Sequence, residues 1–277
     1  MKSSRSSLRS SNLHPSSIIT LLTDFGDRDW FVASMKGVIL SINPQATIVD
    51  LNHQIGSHDI QDGAYVWKSC YRYFPDGTIH VAVVDPGVGT DRRPLIAKSS
   101  RYFFCAPDNG LLTHVFDQEG DMEVREIENK QYRLEAEGHT FDGRDVFAPA
   151  AAWLTKQQPF ASYGRVVADP HRFAVTQPQW EQTALVGEVM YIDVFGNLIT
   201  NVSLRHVKEV REITKRPNPL IRIGSHTIDG LVRNYAEGDH GSPCALINSD
   251  GQLEIFCKET SASALLKVGR REAVKLS

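Results

Sequence analysis

The sequence predicts an α/β protein in which an N-terminal domain built on a parallel sheet is followed by a smaller, mostly β C-terminal domain. Three observations carry this. Apolar runs of strand length at 18–23, 46–51 and 79–84 alternate with two stretches of helical period, the order expected of strands joined by right-handed crossover helices. Beyond residue 182 the pattern changes to short alternating runs at 184–193, 198–202, 220–223, 244–248 and 253–256, interrupted by Gly and Asn. Between them, residues 157–182 hold Pro159, Pro170 and Pro178 and little periodicity, so the interdomain connection is expected there. The implied organisation is a tail at 1–17, an N-terminal α/β domain at 18–170, a linker at 171–182 and a β-rich domain at 183–277.

Composition narrows the function. A chain of 277 residues is long enough for two cores. Its 30 basic and 33 acidic residues give a formal charge of −3, so no global field recruits nucleic acid or an anionic membrane, and a compact small-molecule substrate is the expected partner. Cys70, Cys105, Cys244 and Cys257 show neither CxxC spacing nor a dense framework. That fits a reducing, cytoplasmic setting and predicts no zinc or other metal site. No apolar run approaches the roughly 18 residues of a membrane span, and no signal-peptide core follows the N-terminal charges. The tail is Ser-rich, carries Lys2, Arg5 and Arg9 without an acid, and is expected to be disordered; the same composition fits an organellar transit segment.

Each element has a local reason. The strand at 18–23 ends in Thr23-Asp24-Phe25-Gly26, which leaves a carboxylate at the sheet rim. Residues 29–43 place Trp30, Val32, Ala33, Met35, Val38, Ile39 and Ile42 at helical spacing, a core stripe closed by Asn43-Pro44. A strand at 46–51 and a helix at 59–74 follow, the latter ended by Pro75-Asp76-Gly77. The buried strand 79–84 then stops at Asp85-Pro86-Gly87. Gly87 and Gly89 allow a tight bend, and Arg92 and Arg93 return positive charge to it, so Asp85 and Arg92 can face each other. The competing reading of this loop is a β-turn followed by a solvated Arg pair. Strands at 95–98 and 102–106, a Pro107-Asp108-Asn109-Gly110 turn and a short helix at 111–116 come next. Asp145 is expected to cap a helix running to about Thr155, with residues 140–144 as the loop before it. Ligands on parallel sheets bind beyond the carboxyl ends of the strands, where Asp24 and Asp85 lie. His53, His58, His80 and His114 are read as structural.

Five motifs in register carry a resemblance: Thr-Asp-Phe-Gly at 23–26, the Asp85 loop, Pro-Asp-Asn-Gly at 107–110, Thr-Phe-x-Gly-Arg-Asp at 140–145, and Phe-Gly-Asn-Leu-Ile-Thr-Asn at 195–201. The chain resembles the S-adenosylmethionine hydroxide adenosyltransferases, hydrolases related to the fluorinase and chlorinase enzymes, from about residue 18 to its end. The resemblance implies hydrolysis of S-adenosylmethionine to adenosine and methionine by water attack at the ribose 5′ carbon, with no cofactor. It also implies a homotrimer whose ligand lies between one subunit's N-terminal domain and its neighbour's C-terminal domain. By the same resemblance Asp24 would hold the ribose hydroxyls and Asp29 and Asp193 the methionine ammonium. Asn197 would meet the adenine edge beside Phe195, Tyr235 would stack on the base, and Ser249 would touch the amino-acid portion. Local alternatives stand beside these: a turn cap for Asp24, an N-cap for Asp29, core or turn roles for Tyr235 and Ser249.

The family's water-handling group is an Asp, an Arg and a His. Asp85 and Arg92 match the first two, but Asp142 stands where the family writes His. An unperturbed Asp titrates near 4 and stays an acceptor only, although repulsion between two carboxylates around Arg92 raises one of them toward a useful base. His139, three residues upstream, is a candidate substitute. Three other functions remain open: a non-catalytic or very slow adenosyl-ligand binder, favoured by the missing His; a halide-dependent adenosyltransferase, disfavoured by the charge of Asp85; and a dinucleotide oxidoreductase, disfavoured because Arg92 occupies the third glycine position.

Overall fold

The computed structural model describes residues 13–277. Of the expected tail, residues 1–12 lie outside the described residues, whereas Leu13 packs on the N-terminal core and the Ser16 N–H donates to Gly77 O at 2.8 Å. The chain divides into two compact units, 1–173 and 174–277.

The first unit contains β1 (Ile18–Thr23), α1 (Phe31–Ile42), β2 (Thr47–Asn52), α2 (Ile60–Cys70), β3 (Ile79–Val83), β4 (Pro94–Lys98), β5 (Phe103–Pro107), α3 (Thr113–Glu119), β6 (Glu123–Glu126) and α4 (Ala148–Thr155). Its sheet runs β2-β1-β3-β5-β4-β6. The first four strands are parallel, and β4 and β6 close the far edge antiparallel. Ile19, Leu21 and Val81 face a cluster with α1 and α4, while Leu22, Ala82 and Val84 face one with α2 and α3. Side chains alternate across a strand, so both faces of these continuous apolar runs are buried. Because β1 leads to β2 on one side and β3 leads away on the other, the sheet reverses its winding between β1 and β3. Asp24 and Asp85 stand just past those two ends, where such a crevice opens.

Two local expectations are corrected. Trp30 does not join the core stripe: it precedes α1 as the N-cap residue and is 67% exposed, while Val32, Met35 and Ile39 carry the buried face. Asp145 does not cap the helix ending at Thr155. It lies inside a π-helical turn at Gly143–Phe147 that runs into α4, and its carboxylate takes Arg144 Nε and Nη2 at 2.6 and 2.9 Å. The helical turn thus begins immediately after Asp142, and π turns of this kind re-aim side chains at functional sites.

The second unit contains β7 (Gln179–Glu181), β8 (Ala184–Ile192), β9 (Leu198–Ser203), α5 (Leu204–Thr214), β10 (Leu220–Ile223), β11 (His226–Asp229), β12 (Pro243–Ile247), β13 (Gln252–Cys257), α6 (Ala262–Leu266) and β14 (Ala273–Leu276). Its antiparallel sheet follows β11-β10-β14-β8-β9-β13-β12, with β7 paired to β8. Helix α5 was not expected from the sequence. Ser203 caps it reciprocally with His206, whose Nδ1 accepts the Ser203 N–H at 3.1 Å.

Candidate active site

In the first unit, a bend and a helical turn bring three charged side chains together. Gly89 takes φ +79 and leaves no room for a Cβ, which would lie 2.9 Å from His139 O, so the loop after β3 presses against the 138–140 segment. Across this contact a single nitrogen, Arg92 Nη2, lies 2.5 Å from Asp85 Oδ2 and 2.5 Å from Asp142 Oδ2. The two carboxylate oxygens are therefore within twice that distance of each other. The Asp85 and Arg92 side chains are only 3% and 7% exposed, and the guanidinium lies 5.5 Å from the Phe147 ring centre. Burial pushes the Asp85 carboxyl up, Arg92 pulls it down and Asp142 pushes it up again; the net position is above the ordinary value. A buried carboxylate raised in this way, yet held by a guanidinium, can orient water and take a proton from it.

Beside the trio is a cavity of about 130 Å³ lined by Phe25, Phe31, Phe141, Val88, Asp85 and Asp142, among others. The three rings close a triangle with centroid separations of 5.6, 5.8 and 5.2 Å. Phe31 and Phe141 were not singled out by the sequence reading, which treated apolar residues near the first helix as core. Arg133 was also missed; it is half-buried, donates to Ile127 O, and burial lowers its pKa against the pull of Asp142. Asp24 Oδ2 accepts the His58 N–H at 2.9 Å, with His58 in the left-handed region at φ 63. Asp29 is exposed and does not cap α1. His139 is exposed and meets the Asp85 loop through its carbonyl at Gly89. The strand before Gly87 leads into β4 and not into a helix, so the loop lacks the helix N-terminus a dinucleotide pyrophosphate requires.

The second unit places Asp193, Phe195, Asn197 and Tyr235 around one cavity of about 760 Å³, with Phe256 and Ser261 also on its wall. Asp193 organises the turn between β8 and β9. Its Oδ1 accepts the N–H groups of Phe195 and Asn197 at 2.9 Å each, and its Oδ2 accepts Asn197 Nδ2 at 2.9 Å. That last bond fixes which way the Asn197 amide is turned and leaves its Oδ1 as an acceptor. Gly196 sits at φ +81 against Ser261, where a side chain would overlap. Phe195 is 75% exposed at the tip. Tyr235 packs edge-on to Phe256 at 4.9 Å and donates its hydroxyl to Glu254 Oε1 at 2.6 Å. Burial and that carboxylate push the Tyr235 hydroxyl pKa upward. Glu254 is buried and was not anticipated; a lone Glu in a strand gives no sequence signal of burial. Ser249 is exposed in the turn after β12 and does not line this cavity.

Comparison with known proteins now discriminates. A family model described as the SAM hydroxide adenosyltransferase N-terminal domain matches residues 19–164, and its C-terminal counterpart matches residues 187–275. The chain belongs to the SAM hydroxide adenosyltransferase family. Within this family it is 34% identical over 272 residues to the (R)-S-adenosyl-L-methionine hydrolase of Methanocaldococcus jannaschii, covering 94% of this chain and 95% of that one. A fluorinase of Actinoplanes sp. is 31% identical over 267 residues, covering 86% and 90%. The crystal structure of an uncharacterized conserved protein from Thermotoga maritima superposes with a TM-score of 0.85 at 31% identity, covering 93% of this chain and 99% of that one. Among the described residues, no group of three or more His, Cys, Asp or Glu side chains is arranged to hold a metal, and no helix is long and apolar enough to cross a membrane.

Proposed function

We propose that this chain hydrolyses S-adenosyl-L-methionine to adenosine and L-methionine. The observation that carries the reading is the Asp85–Arg92–Asp142 trio beside a small aromatic cavity. A water oxygen attacks the 5′ carbon of the ribose, the carbon–sulfur bond breaks with its electrons passing to the sulfonium, and methionine leaves as a neutral thioether. The proton released from water passes to the Asp85 carboxylate. A sulfonium is a good leaving group, so alignment and partial desolvation of the nucleophile are the main tasks of the protein. Arg92 fixes both carboxylates, and Asp142 takes the place of the family His by keeping Asp85 basic rather than by shuttling a proton.

Binding is assigned to the remaining residues as the resemblance implies: Asp24 to the ribose diol, Asp29 and Asp193 to the ammonium, Asn197, Phe195 and Tyr235 to adenine, Ser249 to the amino-acid end. We include in the proposal a cytoplasmic homotrimer whose ligand is shared between one subunit's first unit and its neighbour's second. What supports sharing is that the charged trio belongs to one unit and the Asn197 cavity to the other. Several relatives bear a name specifying an (R) configuration; since L fixes the α-carbon, this refers to sulfur, and both sulfonium epimers belong in the assay.

Incubation of the purified protein with each epimer, followed by chromatography with and without chloride, tests the reading. Adenosine and methionine in equal amounts without chloride are expected. Tight binding with no turnover over hours, or a chlorinated nucleoside, would overturn it. Mixing Asp85→Ala and Asn197→Ala subunits, assayed at substrate well below the raised KM of Asn197→Ala, tests sharing: a component with the wild-type KM, absent from either variant alone, supports it, and its absence rejects it.

A further inference from the structure

We propose that the chain Thr23–His53–Asp50, buried at Thr23 and His53, is a positioning device for Asp24, an inference that rests on Asp24 holding the substrate as described above. Asp24 lies on a turn whose neighbours on both sides are tied to one residue. The Phe25 N–H donates to Thr23 Oγ1 at 3.2 Å, and Thr23 Oγ1 in turn lies 2.8 Å from His53 Nδ1. The Gly26 N–H donates to His53 O at 2.7 Å. Five residues on, the His58 N–H reaches Asp24 Oδ2 itself, so the segment after β2 holds both the backbone around Asp24 and its carboxylate.

Thr23 Oγ1 accepts the Phe25 N–H and pairs through its remaining hydrogen-bonding capacity with His53 Nδ1, so one hydroxyl joins the turn to the imidazole. Nε2 lies 3.1 Å from Asp50 Oδ1, close enough for electrostatic pairing although off the line of a well-aligned hydrogen bond. Asp50 is anchored by Lys36 Nζ at 2.6 Å. Against the upward push of burial, the bonds from Lys36 and His53 keep its carboxyl below the ordinary value. Thr23 is fully buried and His53 nearly so. A valine would keep the shape of the Thr23 side chain while leaving the Phe25 N–H and His53 Nδ1 without this partner, so what the hydroxyl contributes lies in those two bonds and not in its volume. What it supplies is a fixed Phe25 N–H, and with it a fixed Asp24 and a fixed Phe25 ring on the wall beside Asp85.

The test compares Thr23→Val, which keeps the shape and loses the hydroxyl, with Thr23→Ser, which keeps the hydroxyl. Steady-state kinetics on S-adenosyl-L-methionine should show KM raised about tenfold in Thr23→Val with kcat within about twofold, and near wild-type values in Thr23→Ser. A fall in Tm for Thr23→Val with KM unchanged would overturn the proposal, since that is what a purely structural hydroxyl gives. Amide hydrogen exchange at Phe25 and Gly26 supplies a readout independent of turnover. It should accelerate in Thr23→Val and His53→Ala but not in Thr23→Ser. If the wild-type protein did not turn over S-adenosylmethionine, the functional reading would fail while the exchange rates still decided this one; equal exchange in all variants would reject it.

Discussion

In the first unit the candidate groups are charges locked on one another beside a cavity of about 130 Å³, whereas in the second a cavity of about 760 Å³ is walled by rings and an amide whose orientation the loop itself fixes. The Asp85 carboxylate is buried and paired with Arg92; the Asn197 amide is held in place by Asp193. The first arrangement alters the basicity of a carboxylate, and the second presents a fixed shape. Damage to the first should appear in the rate of the chemical step and damage to the second in affinity.

The largest expected effect is that of Asp85→Ala. Removing a placed base lowers rates by roughly 10²- to 10⁴-fold, and here it also leaves Arg92 paired with Asp142 alone, so kcat should fall by that order with KM little changed. Single-turnover release of adenosine is the measurement; a KM effect without a kcat effect would reverse the assignment. Next comes Asn197→Ala. Loss of the proposed hydrogen bond to the adenine edge should raise KM by about tenfold and leave kcat nearly intact. An equal loss in kcat would show that the second unit also shapes the chemical step and would break the contrast.

The two units also differ in how far their sequences reveal them. Strands β1 and β3 of the first unit, IITLLT and IHVAV, are mostly apolar and are followed within two residues by Asp24 and Asp85, so these strands and the carboxylates beyond them can be read directly. Edge strand β6 reads Glu-Val-Arg-Glu and has no such signal. In the second unit, α5 hides because only Val207 and Val210 are buried along its length and its reciprocal cap uses His where Glu or Gln is the usual signature. Within the site, Asp24 and Asp85 were legible because a carboxylate at a strand end is unusual, and the Phe25–Phe31–Phe141 triangle was not, because phenylalanines near a helix start look like core. Its closure depends on residues more than a hundred positions apart. Neither spacing nor composition encodes Arg92 bridging two carboxylates through one nitrogen; that follows from the Gly89 bend meeting the 138–140 segment.

Asp142→Asn sharpens the comparison by changing basicity without removing the base. In the proposed mechanism Asp85 acts when ionised, so activity should fall on the acid side as pH drops through its pKa. Burial and the Asp142 charge hold that pKa above the usual carboxylate value, with Arg92 opposing them. Deleting the Asp142 charge removes one upward push, so the acid limb of kcat should move to lower pH. An unmoved limb would mean that Asp142 does not act through Asp85, and a limb moved upward would mean that the asparagine had loosened Arg92.

The smallest activity effect belongs to Tyr235→Phe, which separates a stability role from a ligand role in the second unit. The Tyr235 hydroxyl donates to Glu254, a carboxylate only 3% exposed whose other hydrogen bond is from Asn248 Nδ2 at 3.2 Å. Phenylalanine keeps the ring against Phe256 and on the cavity wall but leaves the buried carboxylate with one donor fewer. The cost of such an orphaned acceptor is about 1–3 kcal/mol, so Tm should fall while KM stays within about twofold. Adding Glu254→Gln lowers the charge that lacked its donor and should recover part of the lost Tm. If Tyr235→Phe instead left Tm alone and raised KM, the hydroxyl would be reading the ligand, and the second unit would supply chemistry as well as shape.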